Sequence, residues 1–168
     1  MLRNTMKIVT IALLLVLPLA LFSQEGVSGR YRDYFGSRFY LNVDGTFKYT
    51  WNFDLASSWT KGTWVLRRDT VYLKMVPTYD TVSISKPNDS TVDSLILSED
   101  EVSERLTQLQ FAGMLLSGGG QNRQGYPEKL VVKKGRLYKI QNGKIVTRKQ
   151  KGFWSSKKWD PWYFKSND

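Results

Sequence analysis

The chain of 168 residues has no cysteine and no histidine. The first absence removes disulfides, thiolate nucleophiles and zinc-thiolate sites. The second removes an imidazole base, a histidine ligand to haem iron and any Ser-His-Asp triad. A fixed-period repeat is missing as well, which argues against a propeller or a solenoid. What is present is 41% hydrophobic, 14% aromatic and 24% charged, the composition of a globular chain. The length suits one domain with a core of its own.

Residues 1–23 read as an address. Arg3 and Lys7 precede an apolar run over 8–22 that only Thr10 and Pro18 interrupt, and small residues occur between Ala20 and Ser23. This is the three-part layout of a signal peptide, too short for a comfortable membrane span. Cleavage after Ser23 leaves a mature segment 24–168, exported to the periplasm or the extracellular space. A segment with a sufficient core needs no disulfides there.

The middle of the chain is patterned for strands. In residues 46–53 Phe47, Tyr49, Trp51 and Phe53 alternate with Thr46, Lys48, Thr50 and Asn52. Strict alternation over eight residues predicts a half-buried strand. With Ser37-Arg38-Phe39-Tyr40-Leu41-Asn42 and an Asp44-Gly45 turn before it, residues 37–53 form a hairpin. Further strands are expected over 60–67, 70–76, 79–85 and 91–97. Three more follow near the end, separated by Gly135 and by Asn142-Gly143. About ten short strands in adjacent antiparallel pairs predict a mainly β, up-and-down meander closed as a barrel. One helical insertion is expected near 99–116. Ser98 and Glu101 have capping-box spacing, Val102, Leu106, Leu109 and Leu116 recur at helical spacing, and Gly118-Gly119-Gly120 ends the run. Its expected role is to cover the barrel or to gate a cavity.

Charge is uneven. Residues 24–128 hold 11 basic and 13 acidic side chains, residues 129–168 hold 12 and 2. Such asymmetry points to an anionic partner, a lipid headgroup or an acidic glycan, and export argues against nucleic acid. The last stretch, about 150–168, also carries six aromatics within 152–164, flanked by lysines. Lys157, Lys158, Trp159 and Trp162 are therefore the candidate anionic-surface residues. In the structural alternative a final strand over 160–165 packs Trp162 and Phe164 against the barrel.

Signatures of catalysis are thin. Asp44 and Asp54 flank one strand as a candidate carboxylate pair, but Asp44 is required by its turn and Asp54 starts a loop. The glycine triplet lacks the Gly-Lys-Ser/Thr ending of a phosphate loop, and residues 99–101 lack the alternating oxygen ligands of a calcium loop. Nothing in the sequence calls for a metal or a cofactor, and the expectation is a non-enzymatic protein.

Gly29-Arg30-Tyr31 in the first strand, the Asp44-Gly45-Thr46-Phe47 hairpin and Gly62-Thr63-Trp64 carry a resemblance. In this order they resemble small secreted lipocalin-like, calycin-type β-barrel proteins of bacterial envelopes, over residues 27–97 above all. Lipocalins place Gly-x-Trp in the first strand, whereas here it falls in about the fourth, so no binding residue is carried over. The resemblance implies a barrel that holds an apolar or amphipathic small molecule, and Tyr49, Trp51 and Trp64 are the first candidate wall residues.

Overall fold

The computed structural model describes residues 26–86 and 90–166. The expected signal peptide, 1–23, lies outside the described residues, as do residues 87–89 of the turn expected over 86–89. The chain forms β1 (Gly29–Arg32), β2 (Ser37–Leu41), β3 (Thr46–Phe53), β4 (Ala56–Arg67), β5 (Thr70–Met75), β6 (Tyr79–Ser85) and β7 (Thr91–Leu97). There follow β8 (Arg105–Leu106), α1 (Gln108–Leu116), β9 (Lys129–Lys133), β10 (Arg136–Gln141) and β11 (Lys144–Ile145). The last elements are β12 (Gln150–Lys151), β13 (Lys158–Trp159) and β14 (Tyr163–Ser166).

Eight strands close a ring in the order β10, β14, β1, β2, β3, β4, β5, β9 and back to β10, every pair antiparallel. Closure removes the unpaired edges of an open sheet. The turns follow local chemistry. Lys134-Gly135 and Asn142-Gly143 both have positive φ at two successive residues, the geometry that matches strand twist in a tight hairpin. At the β2–β3 turn, Asp44 Oδ1 accepts from the backbone N–H (2.8 Å) and the hydroxyl (2.7 Å) of Thr46. These bonds hold the Asp44 carboxyl below the usual carboxylate range.

Alternation along the strands separates core from surface. On β3 Phe47 and Tyr49 are buried, Trp51 and Phe53 half-buried. Phe39, Leu41, Phe47, Trp64, Leu130 and Leu137 are all within 2% of complete burial and fill one part of the interior. Each contributes roughly 1.5–3 kcal/mol by leaving water, so this packed part holds the barrel together.

The route between barrel strands departs from a plain meander. The hairpin of β6 and β7, with the bounds its alternation predicts, leaves the wall and forms a separate three-stranded sheet with β8, which runs parallel to β6. Alternation specifies a strand and its faces but not which sheet it joins. The helix is also shorter than expected. It begins after Thr107, whose hydroxyl accepts from the Gln110 N–H while the Gln110 side chain accepts from the Thr107 N–H. Ser98 does not cap it. Backbone carbonyls at 99–102 are instead taken by other groups: Glu99 O by the Trp59 indole N–H (2.6 Å), Glu101 O by the Lys61 ammonium (2.8 Å) and Val102 O by the Ser98 hydroxyl (3.3 Å). The helix packs on β6 and β8. It contributes nothing to the cavity at the barrel mouth, so it gates no opening there.

The glycine triplet has a task of its own. The segment after α1 lies against the start of β4, with Ser57 N–H donating to Gly118 O (3.0 Å) and Trp59 N–H to Gly120 O (3.2 Å). A β-carbon on Gly118 would sit 2.7 Å from Leu55 O, and Gly120 has φ +137. Only glycine allows so close a backbone approach.

Candidate functional site

A cavity of about 590 Å³ opens at one end of the barrel. Its wall takes Tyr49 and Trp51 from β3, Lys139 from β10, Tyr163 from β14, Tyr126 from the loop before β9 and Phe153 from the segment between β12 and β13. The Trp51 indole N–H donates to Phe35 O (3.0 Å), which fixes the ring at the rim. Phe153 lies over Phe53, ring centres 4.2 Å apart, and Tyr126 packs on Phe47 at 5.7 Å. The apolar surface is thus mainly aromatic, completed by Pro127, Ile140 and Val146, and its rings are ordered by mutual contacts.

The polar floor of the cavity is built by parity. Asp33 follows β1 on the face of Tyr31, and Lys139 shares its face of β10 with Leu137. Both flanking strands pair with β14, so the two charges meet beside Tyr163. Lys139 Nζ lies 3.2 Å from Asp33 Oδ2 and 4.8 Å from the centre of the Tyr163 ring. Asp33 Oδ1 accepts from the backbone N–H of Phe35 (2.9 Å) and of Ser37 (2.8 Å). A fully buried carboxylate is tolerable only with such partners.

The Tyr49 hydroxyl lies 3.3 Å from Ser37 Oγ. The Tyr163 hydroxyl faces the same group of side chains, yet it is buried without a partner of hydrogen-bond geometry. Burial pushes the Tyr163 phenol well above its ordinary value, with the neighbouring Tyr49 and Asp33 adding to the rise and Ser37 opposing it. Burial likewise raises Tyr49, the Ser37 hydrogen bond opposing and Asp33 adding. Both phenols are therefore neutral donors across the physiological range.

Of the three candidate wall residues, the structure brings Tyr49 and Trp51 into this cavity and leaves Trp64 out of it. Trp64 is 1% exposed within the packed core, its indole N–H donating to Asn42 O (2.9 Å). No protein-family model, no curated protein and no solved structure matches the chain. The site is accordingly read from its own residues. Residue type alone missed Lys139, Asp33 and Tyr163. The signal lay in the alternation, because a lysine in phase with Leu137 and an aspartate in phase with Tyr31 both point inward.

The C-terminal candidates are divided. Lys157 and Lys158 are exposed, whereas Trp159 and Trp162 are half-buried. Trp159 stacks on Tyr34 at 4.6 Å under the Lys157 ammonium (4.1 Å), and Trp162 lies against Tyr138 (5.3 Å) with the Arg136 guanidinium over it (5.1 Å). The last strand sits one residue out of phase with its expected packing. Phe164 lies opposite Arg32 and Arg136 on the outer face, so Pro161 and Tyr163 go inward instead of Trp162 and Phe164. A slip of one residue exchanges the two faces of a strand, and here both neighbours fix it. The aromatics that do project are Phe153 and Trp154, the latter 88% exposed.

The two carboxylates weighed for hydrolysis stand at opposite ends of β3, on the order of 30 Å apart along the strand, and do not share a cleft. Among the described residues no group of three acidic side chains is placed to hold a metal ion.

Proposed function

We propose that this barrel is a non-enzymatic, lipocalin-like binding module, exported from the cell, that holds an amphipathic small molecule in its mouth. The carrying observation is the aromatic cavity of about 590 Å³ with a buried, unpartnered Tyr163 hydroxyl at its polar floor. Its size falls in the range of small-molecule sites, and a few convergent polar groups in an aromatic wall are what orient such a ligand. The apolar body of the ligand lies between Trp51, Tyr126 and Phe153. Its polar end offers an acceptor oxygen to Tyr163. Because Asp33 already neutralises Lys139, a polar uncharged head group suits this floor better than a full anion.

The test is native mass spectrometry of the protein taken from the exported fraction without detergent. A discrete added mass, lost on denaturation and absent from Trp51→Ala, is the expected result. A clean unliganded mass, together with failure of amphipathic probes to quench tryptophan fluorescence, overturns the reading.

The second reading gives the C-terminal region an anionic lipid or glycan surface as partner. It draws support from Phe153 and Trp154, which project among the lysines of 149–158. Unchanged envelope binding after Lys157, Lys158, Trp159 and Trp162 are replaced by Ala counts against it.

A further inference from the structure

The outer wall of the barrel carries a groove that the charge distribution along the chain does not suggest. Two adjoining depressions, about 220 Å³ and about 610 Å³, share Arg38 and Tyr40. The first lies over β14, β1 and β2, and the second crosses β2, β3 and β4 beneath Glu101. The cations that line it are Arg30, Arg32, Arg38 and Lys48, within the part of the chain where acids outnumber bases.

Register places like charges directly opposite one another. Arg32 faces Arg38 across β1 and β2, and Lys48 faces Lys61 across β3 and β4. Such cross-strand pairs destabilise a sheet unless an anion lies between them. The second pair has one. The Glu101 carboxylate binds the Lys48 ammonium, and the Glu101 carbonyl accepts from Lys61 at 2.8 Å. Among the described residues the first pair has none, since their four ion pairs involve neither Arg32 nor Arg38. Glu101 thus shows what this wall takes, a carboxylate, and the arginine pair beside it, with the Arg32 guanidinium 5.2 Å from the centre of the Phe164 ring, has no carboxylate of its own among the described residues.

The remaining lining defines the rest of the ligand. Tyr40 and Trp59 are half-buried, with Arg30 5.8 Å from the centre of the Tyr40 ring and Lys61 5.7 Å from that of Trp59. Between them Asn42, Thr50 and Asn52 offer amides and a hydroxyl. Guanidinium forks grip carboxylates in two-point contacts, flat rings stack on pyranose faces, and amides meet sugar hydroxyls. We propose that this groove binds a segment of an acidic oligosaccharide, with a uronate carboxylate at Arg32 and Arg38 and a sugar ring on Tyr40. A flat bilayer does not enter a concave groove beneath an overhanging loop, which favours a chain of sugars over a lipid surface.

Calorimetric titration of the intact protein with a hexamer of galacturonic acid tests this. Binding is expected, and it is lost when the carboxylates are methyl-esterified. Arg32→Gln with Arg38→Gln weakens it about tenfold or more, while Trp51→Ala in the mouth cavity leaves it unchanged. Both arginines are exposed, so the double variant folds; without sugar its melting temperature stays level or rises, because a repulsive pair is gone. No binding of the hexamer, equal binding of its ester or equal binding by the double variant overturns the proposal. So does tighter binding of single-stranded DNA or of phosphatidylglycerol vesicles at the same arginines.

Discussion

Lys139 and Asp33, 106 residues apart in the chain, meet at 3.2 Å inside the barrel mouth and bracket the ring of Tyr163. The pair depends on closure, because β1 and β10 are neighbours only through β14. Asp33 is completely buried and Lys139 is one-third exposed, so the two partners differ in what their loss leaves behind.

Lys139→Met removes the cation and leaves a buried carboxylate held by two backbone N–H groups. The expected cost is about 1–2 kcal/mol, below that of a fully buried pair because water reaches the ammonium. Asp33→Asn keeps one acceptor and costs a similar amount. Chemical denaturation of both single variants and the double variant closes the cycle. A coupling energy near zero would show that the two groups act independently.

Three of the nine tyrosines, Tyr31, Tyr49 and Tyr163, have phenols raised by burial. A raised folded-state value means that the neutral phenol is favoured in the folded protein. Stability from these groups is fully present below the unfolded value of about 10 and is lost as pH rises through the folded values. Phenolate absorbance from Tyr31, Tyr49 and Tyr163 is therefore expected to appear only together with unfolding. Tyr163→Phe removes the largest of these contributions and shifts the alkaline transition to higher pH. A single unbroken titration with no structural change would contradict this assignment.

The fold was legible where one local rule suffices. The β2–β3 hairpin, the ends of β6 and β7 and the break after β5 follow from alternation, Asp-Gly and Pro77. Choices between equivalent patterns were not legible. Tyr163 and Phe164 present similar aromatic faces in β14, and only pairing with two distant strands decides which one goes inward. The site was partly legible for the same reason. Tyr49 and Trp51 stand out as aromatics on one face, but whether an inward position is packed or hollow depends on all eight strands, and Trp64 fell on the packed side.

Trp51 and Trp64 are expected to separate binding from stability. Trp64→Ala empties a fully buried site and removes one of the two donors to Asn42 O, the other being the Gly45 N–H (3.1 Å), a loss of about 3–5 kcal/mol. Trp51→Ala removes a half-buried ring at the rim, costs about 1–2 kcal/mol and takes away one wall of the cavity. Denaturation midpoints and probe-binding titrations on both variants check this. Equal loss of stability with no change in probe binding would remove Trp51 from the site.

Ser98 and Thr107 carry the last contrast, because either residue is followed at the third position by a side chain suited to a capping box. Only Thr107 caps α1, so Thr107→Ala is expected to lower helix content and cost about 1 kcal/mol. Ser98 is buried, accepts from the Asp100 N–H (3.2 Å) and donates to Val102 O (3.3 Å), while its own backbone ties Thr78 to Gln121. Ser98→Ala is therefore expected to leave α1 intact and to loosen residues 99–102. Amide exchange distinguishes the two. Faster exchange confined to the start of α1 is expected for Thr107→Ala. For Ser98→Ala faster exchange is expected at Asp100, with a weakened hold of Glu101 on Lys48 and Lys61. Loss of α1 protection in Ser98→Ala would mean that the helix begins where sequence spacing first placed it, and that residues 99–106 are helical in solution.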